Sequence, residues 1–370
     1  MDKVHTQTNC LDVAPGIKHS PLECVVLSQL LFSPAPENDV ETNAIEPAEV
    51  ERVLAIAQSH HVVMRTLPVY VQMEARKAVA ALVSEAINQE QERIENAITT
   101  LASICDFLRE NQCDVTVIKS LDHWPDMGSD LDLYTNSAPS KVIHLMKKRF
   151  RAKLAKRSWG DRLANKWNFS IPGLPELVEI HMGRLGQTGE QLEFAQGIPG
   201  RAKQVQISGQ TFMVASREDR LLICTMQRMY RHFYARLCDI ADTLELLEGA
   251  TSGLDYEKLQ RTATRAGIWQ GTATFLLIVS NYVRAYRGFG TEIPRWVRSA
   301  AKFDTNQVSF RDGFLRISIA PHSMKLYASQ LASTLFQGGI SSTVRLSLLP
   351  WLAVAAAASH KLTGNDKGIW

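Results

Sequence analysis

The run "DLDLYT", Asp130 to Thr135, constrains this chain more than any other. Side chains on a strand alternate between its two faces, so Leu131 and Leu133 face one side while Asp130 and Asp132 face the other. The leucines require a core beneath the strand. The carboxylates, about 6 to 7 Å apart at the strand rise, repel each other and need an offsetting positive charge, for which a hard divalent cation is the natural candidate. The pattern therefore asks for a sheet with one face buried and a charged site on the other.

The surroundings of that strand divide the chain by texture. Residues 1 to about 48 read as irregular, with one short apolar helix at "LECVVLSQLLF" and a loop at "SPAPENDVETNAIEP". From Pro47 the period is helical, and a long run from about Pro68 to Glu110 carries Ala, Leu, Val and Ile at spacings of three and four without an internal Gly or Pro. After Asp114 come short β-rich runs, "VTVIKS", "DLDLYT", "RAKLAKRS", "NKWNFSI" and "LVEIHM", interrupted by one helical piece, "SKVIHLMKKRF". Beyond Val214 helices resume. Ser216 and Asp219 form a capping box, and Leu222, Met226, Met229, Phe233, Leu237, Ile240 and Leu244 predict one stripe of a long helix. The expected division is 1–111 helical, 112–215 an α/β core, and 216–370 helical.

Composition excludes several classes. With 45% hydrophobic and 21% charged residues over 370 positions, the chain is ordinary globular protein, and a net charge of +3 does not mark it as a nucleic-acid or membrane binder. The six cysteines, Cys10, Cys24, Cys105, Cys113, Cys224 and Cys238, form no C-x-x-C pair, which predicts a reduced, cytoplasmic chain without a zinc site. The first residues lack the apolar run of a secretory signal. The uncharged runs Ala266 to Val283 and Leu346 to His360 are broken by polar residues or Pro350, so both are expected to be core helices and not membrane spans.

In "LVEIHM", Glu179 and His181 share a face by the same alternation. Were that strand to lie beside the first, Glu179 would be the third carboxylate of a metal cluster, with His181 either assisting it or serving as a structural histidine. Such a cluster suits nucleotidyl transfer, in which two cations clamp a triphosphate and activate an attacking hydroxyl. Gly128 and Ser129 directly precede Asp130, and backbone N–H groups there can approach phosphate oxygens.

The stretch resembles the signature of the nucleotidyltransferase superfamily related to polymerase beta: a small-residue turn ending in Ser120, nine residues, then "DLD". More narrowly, residues 22 to 285 are similar to a largely uncharacterised bacterial nucleotidyltransferase family. The shared features are an apolar strand ending in Lys119-Ser120, Asp-x-Asp, a later carboxylate-apolar-His strand, and "SREDRLLICTMQRMYRHFYARLCDIADTLELLE". Lys119 stands where the wider superfamily has Gly, and Glu179 where it often has Asp. The resemblance implies an α+β fold, a minimal nucleotidyltransferase α/β core (a short mixed sheet with flanking helices) between N-terminal and C-terminal helical regions. It implies an enzyme that moves an NMP from an NTP to a hydroxyl or phosphate acceptor and releases pyrophosphate. Asp130, Asp132 and Glu179 would be catalytic and hold Mg2+, two ions in all, while Lys119, Ser120, Gly128 and Ser129 would bind the nucleotide, ATP being the first choice.

Two basic features bear on the acceptor. "KKRFRAKLAKR", Lys147 to Arg157, has seven basic residues and no acidic one, which is either an RNA contact or a solvated face. Few aromatics are interleaved with it, so a small-molecule or peptide acceptor is expected ahead of RNA. Arg228, His232 and Arg236 recur every four residues opposite the apolar stripe, where they would meet triphosphate charge or form an ordinary wet face. The alternatives are an RNA-modifying nucleotidyltransferase and a nucleotide-binding module without turnover.

Overall fold

The computed structural model describes residues 20–36, 40, 45–249 and 253–363. Its N-terminal part is α1 (Leu22–Phe32), α2 (Pro47–Ser59), α3 (Val63–Met73) and α4 (Lys77–Glu110). Pro47 starts α2 behind a Glu46/Glu49 capping box, as a residue without an N–H can at a first helical turn. The helix expected from Pro68 onward is not continuous. Pro68 lies inside α3, and the chain breaks at Glu74–Arg76, where the buried Glu74 carboxylate accepts the Arg76 backbone N–H and its guanidinium at 2.7–2.8 Å.

The middle of the chain is β1 (Thr116–Val117), β2 (Asp130–Thr135), α5 (Pro139–Phe150), β3 (Lys153–Leu154), α6 (Trp159–Leu163), β4 (Lys166–Ser170), β5 (Leu177–Met182), α7 (Leu192–Gln196), α8 (Ile198–Arg201), β6 (Lys203–Ile207) and β7 (Gln210–Val214). The run "RAKLAKRS" keeps only two residues of strand, because Ser158 and Asp161 cap α6 immediately after it. One seven-stranded sheet results, in the order β3-β4-β5-β2-β1-β7-β6. It is mixed: β2 pairs parallel with β5, and β1 parallel with β7, while β1–β2, β3–β4, β4–β5 and β6–β7 are antiparallel.

The remainder is α9 (Arg217–Gln227), a π-helical turn (Arg228–His232), β8 (Tyr234–Ala235), α10 (Leu237–Glu248), α11 (Tyr256–Arg265), α12 (Trp269–Arg287), α13 (Arg295–Ala300), β9 (Val308–Arg311), β10 (Phe314–Ile317), α14 (Met324–Phe336), α15 (Ile340–Ser347) and α16 (Leu349–Thr363). Strands β8, β10 and β9 form a small second sheet. Ser216 caps α9 as expected, accepting the Asp219 N–H at 3.3 Å. The single long helix is a misreading. Phe233 takes a left-handed φ of 56° and Tyr234 enters the second sheet, while α10 starts afresh with the Leu237 N–H donated to His60 Nδ1 at 2.9 Å. The apolar stripe survives the break because α9 and α10 both face one core.

The sheet separates two cores. Leu131, Leu133, Val178 and Ile180 pack with Ile98, Leu101 and Leu108 of α4 and with Val142 and Met146 of α5. On the opposite face Ile118 and Tyr134 join a larger core shared by helices from both ends of the chain, α1–α3 and α9–α14. Helix α12 is the core helix expected from the first uncharged run. The second run is not: Trp351 and Val354 of α16 are 74% and 64% exposed. Among the described residues no helix is long and apolar enough to cross a membrane. The five described cysteines are free thiols; Cys10 and the rest of residues 1–19 lie outside the described residues.

Candidate active site

The site begins with the pairing of β2 and β5. Their parallel register sets Asp132 opposite Glu179 and Tyr134 opposite His181, so the alternation of both strands puts Asp130, Asp132, Glu179 and His181 on one face. Strand β4 extends that face, with Lys166 opposite His181 and Asn168 opposite Glu179. From the far side, β1 pairs with β2 until Ile118 donates to Asp132 O at 3.1 Å. The Ser120 hydroxyl then replaces the ladder, accepting the Asp132 N–H at 2.6 Å and donating to Asp130 O at 3.2 Å. Both hydrogen bonds hold the start of β2 while the chain turns away, and Lys119 is left beside the carboxylates.

Two lysines and a histidine surround the acids. The Lys119 ammonium sits against Asp132 Oδ1 and lies 3.5 Å from Glu179 Oε1. Lys166 Nζ donates to Glu179 Oε2 at 2.8 Å and contacts Asp161 Oδ1 at 2.8 Å. His181 Nε2 donates to Glu179 Oε1 at 2.8 Å. Burial raises the Glu179 carboxyl, but Lys119, the His181 hydrogen bond and Lys166 outweigh it and hold the group well below the usual carboxylate range. Asp130 differs. Burial, then the Asp132 and Glu179 charges, push it up to about 6 against the opposing pull of Lys119 and Lys166.

The loop before β2 is pinned from outside. Arg93 donates to the carbonyls of Met127 at 2.9 Å and Gly128 at 3.3 Å, and Asp126 accepts the backbone N–H groups of Met64 and Arg65 at 2.8 and 3.1 Å. Gly128 and Ser129 thereby reach the rim of a cleft of about 820 Å3, which Lys119, Ser120, Asp130, Asp132 and Glu179 also line. Hard oxygen donors predominate, and ligand atoms of Asp132, Glu179 and His181 lie within 4.8 Å of one another. Asp132 Oδ1 is buried without a hydrogen bond, with the Lys119 cation against it and His181 Nε2 3.9 Å away. Asp130 and Asp132 therefore fit a divalent cation of the Mg2+ type, while both Glu179 oxygens are already engaged.

Residues 46–283 match the model of a family described as uncharacterised nucleotidyltransferase. The chain belongs to that family. Among solved structures, it is similar to an antigenic nucleotidyltransferase-like protein from Paracoccidioides brasiliensis. The likeness covers 44% of this chain and 84% of that one, at 16% identity and a TM-score of 0.30. A likeness of that size carries no argument about the fold. No curated protein matches the chain.

For a nucleotidyltransferase the second wall of the cleft matters as much as the first. Arg228, Arg231, His232 and Arg236 all line it, but not as a row on one helix. Arg228 is buried in a 2.8 Å ion pair with Asp239, and Arg236 donates to His61 Nε2 at 2.7 Å. His232 is pushed down to about 2 by burial and the surrounding arginines, so it carries no charge at neutral pH. Arg231 has no ion pair or hydrogen bond among the described residues and also borders two adjoining pockets. Its position depends on the π-helical turn, which no helical period indicates. Lys166 was legible: in "NKWNFSI" it alternates with Trp167 like the residues of β5. His123, also on the cleft wall, gave no sequence signal.

The basic run lies elsewhere. Lys147, Lys148 and Arg149 are exposed at the end of α5, which packs against the leucine face of β2. Arg157 lies 3.8 Å over the ring of Trp167, which pairs with Ile180 on that same face. The sheet thus stands between most of this charge and the carboxylates.

Proposed function

We propose that this protein catalyses the transfer of a nucleoside monophosphate from an NTP, ATP in the first instance, to a hydroxyl or phosphate of an acceptor, releasing pyrophosphate. The observation that carries the reading is the register that sets Asp132 opposite Glu179 across β2 and β5, with Asp130 on the same face, all lining a cleft whose other wall holds Arg231. Asp130 and Asp132 would hold the cations, one or two of Mg2+, which neutralise phosphate charge and activate the acceptor oxygen. Glu179, fixed by Lys119, Lys166 and His181, stays ionised at any physiological pH. Arg231 meets the triphosphate, and the backbone N–H groups at Gly128 and Ser129 stand where phosphate oxygens would approach.

A small molecule or peptide is the acceptor this arrangement favours, because most of the basic run, including Lys147, Lys148 and Arg149 on α5, is on the opposite face of the sheet. A second reading, a nucleotide-binding module without turnover, draws on the full set of partners around Glu179. Purified protein incubated with each labelled NTP and Mg2+, with and without cellular RNA or a small-molecule extract, separates these. Label on a small molecule or peptide with pyrophosphate release, lost in Asp130→Asn, supports the transferase. Label on RNA moves the acceptor class. NTP binding with no pyrophosphate release from any mixture leaves the binding module.

A further inference from the structure

His123 lies on the cleft wall with a carboxylate behind it that the site described above does not use. Its Nδ1 is hydrogen-bonded to Asp242 Oδ2 of α10, and Arg65 of α3 holds the other Asp242 oxygen at 2.6 Å and the Trp124 carbonyl at 2.8 Å. The ring stacks on His61 with centroids 5.9 Å apart. Its position and orientation are therefore fixed from three sides. The Cys238 thiol, one helical turn before Asp242, also hydrogen-bonds the ring, and Nε2 lies beside the phosphate-facing loop, 4.0 Å from where a side-chain carbon on Gly128 would stand. A carboxylate fixing one imidazole nitrogen while the other faces a cleft is an arrangement that presents a proton.

We propose that His123, positioned by Asp242 and Arg65, donates its Nε2 hydrogen to the polyphosphate of the bound nucleotide and protonates the departing pyrophosphate. This rests on the nucleotidyl-transfer reading of the same cleft. In the step, the acceptor oxygen bonds to the α-phosphorus. The bond from that phosphorus to the bridging oxygen breaks with its electron pair retained by pyrophosphate, whose oxygen takes the Nε2 proton. The acceptor's proton goes to the carboxylate cluster, and His123 regains a proton from solvent.

Burial disfavours the charge on the ring, but the Asp242 carboxylate and the hydrogen bonds to Asp242 and Cys238 outweigh that and hold His123 well above the usual histidine range, while the Cys238 thiol is itself pushed up by burial and stays neutral. Asp122 adds negative charge and is itself matched by Arg220 at 2.6 Å, while His61 is pushed down, by burial first and then by Arg236, and stays neutral. His123, Cys238 and Asp242 also lie close enough to share a metal ion, but both Asp242 oxygens are engaged by Arg65 and His123.

The test uses full-length protein, inorganic pyrophosphate as the probe, and pyrophosphate release from ATP with water as acceptor, each from pH 5 to 9. Wild type should bind pyrophosphate more weakly as His123 deprotonates at high pH. His123→Gln should lose that limb and about tenfold in affinity at pH 7, the size expected for one charge-assisted hydrogen bond. Asp242→Asn should move the limb to lower pH, and ring-nitrogen NMR should show His123 titrating lower in that variant. Thermal melts establish that both variants fold. Unchanged pyrophosphate affinity and pH profile in a folded His123→Gln overturns the proposal, as does stoichiometric zinc binding that Asp242→Asn abolishes. Failure of the transfer reading is seen separately, as pyrophosphate release that survives Asp130→Asn.

Discussion

Asp132 and Glu179 stand opposite each other on adjacent parallel strands, with the Lys119 ammonium bridging their carboxylates. Two acids that meet across a parallel pair come from distant parts of the chain, and neither would be tolerated there without cations in the same shell. Lys119 and Lys166 supply them when no nucleotide is bound, which makes the acids unequal in what their removal does.

Asp130→Asn removes the least compensated charge, since Asp130 has no ion pair among the described residues and its carboxyl is already pushed up to about 6. Apo stability should hold or rise slightly while metal-dependent pyrophosphate release falls by orders of magnitude. Asp132→Asn should be equally inactive yet less stable, by about 1–3 kcal/mol, because it strips Lys119 of its nearest partner. Chemical denaturation with and without Mg2+ checks both. Near wild-type turnover in either variant removes the carboxylates from the mechanism.

Glu179→Gln separates a catalytic acid from a scaffold. A drop in kcat/KM beyond about tenfold, near 1.4 kcal/mol, supports a part in the cation cluster. A smaller drop accompanied by lower stability assigns Glu179 to holding Lys119, Lys166 and His181 in place.

Arg231→Ala should raise KM for the NTP by about tenfold or more while leaving the melting temperature alone, since no partner among the described residues loses a contact. Arg231→Lys should recover part of that loss. Arg228→Ala offers the contrast: it leaves Asp239 buried without its ion pair and should destabilise the fold. Steady-state kinetics beside thermal melts distinguishes the two arginines.

Acid stability should be governed partly by His60. The folded ring is neutral, Nε2 donating to Gly313 O at 2.8 Å and Nδ1 accepting the Leu237 N–H at 2.9 Å, and burial pushes its pKa down from 6.5 to about 4. The folded state therefore takes up a proton less readily than the unfolded one. The stability this contributes is present above about pH 6.5 and is lost as pH falls through about 4, amounting at most to roughly 3 kcal/mol. Denaturation series between those limits should show a shallower loss in His60→Gln. An identical slope would mean that the ring is already charged in the folded protein.

Changing Lys147, Lys148 and Arg149 together to Gln should leave turnover unaltered, because α5 lies across the sheet from the cleft. If RNA were the acceptor, binding would weaken and its logarithmic salt dependence would flatten by about 0.7 to 0.9 per lost phosphate contact. Sub-micromolar RNA affinity at physiological salt, lost in the triple variant, would overturn the small-molecule preference.

What the sequence determined by itself rests on local periodicity. A two-residue alternation in "DLDLYT" and "LVEIHM" fixes which side chains share a face, and three- and four-residue spacings fix the apolar sides of α4, α9 and α10, because both repeats follow from backbone geometry alone. The same local rules misread the chain where side-chain contacts intervene that periodicity does not encode, some between near neighbours and some from far along the chain. Arg228 and Asp239, His60 and Leu237, and Glu74 and Arg76 exchange contacts that end or restart helices, so the row expected of Arg228, His232 and Arg236 became a buried ion pair, a neutral ring and a capped helix start, with Arg231 left facing the cleft. Only the tertiary structure decided that β5 lies beside β2, that Lys119 and Lys166 bridge the resulting acids, and that Asp242 stands behind His123. Strand order and interhelical contacts depend on how two cores close on either face of a sheet, a condition on the whole chain that no window of neighbouring residues contains.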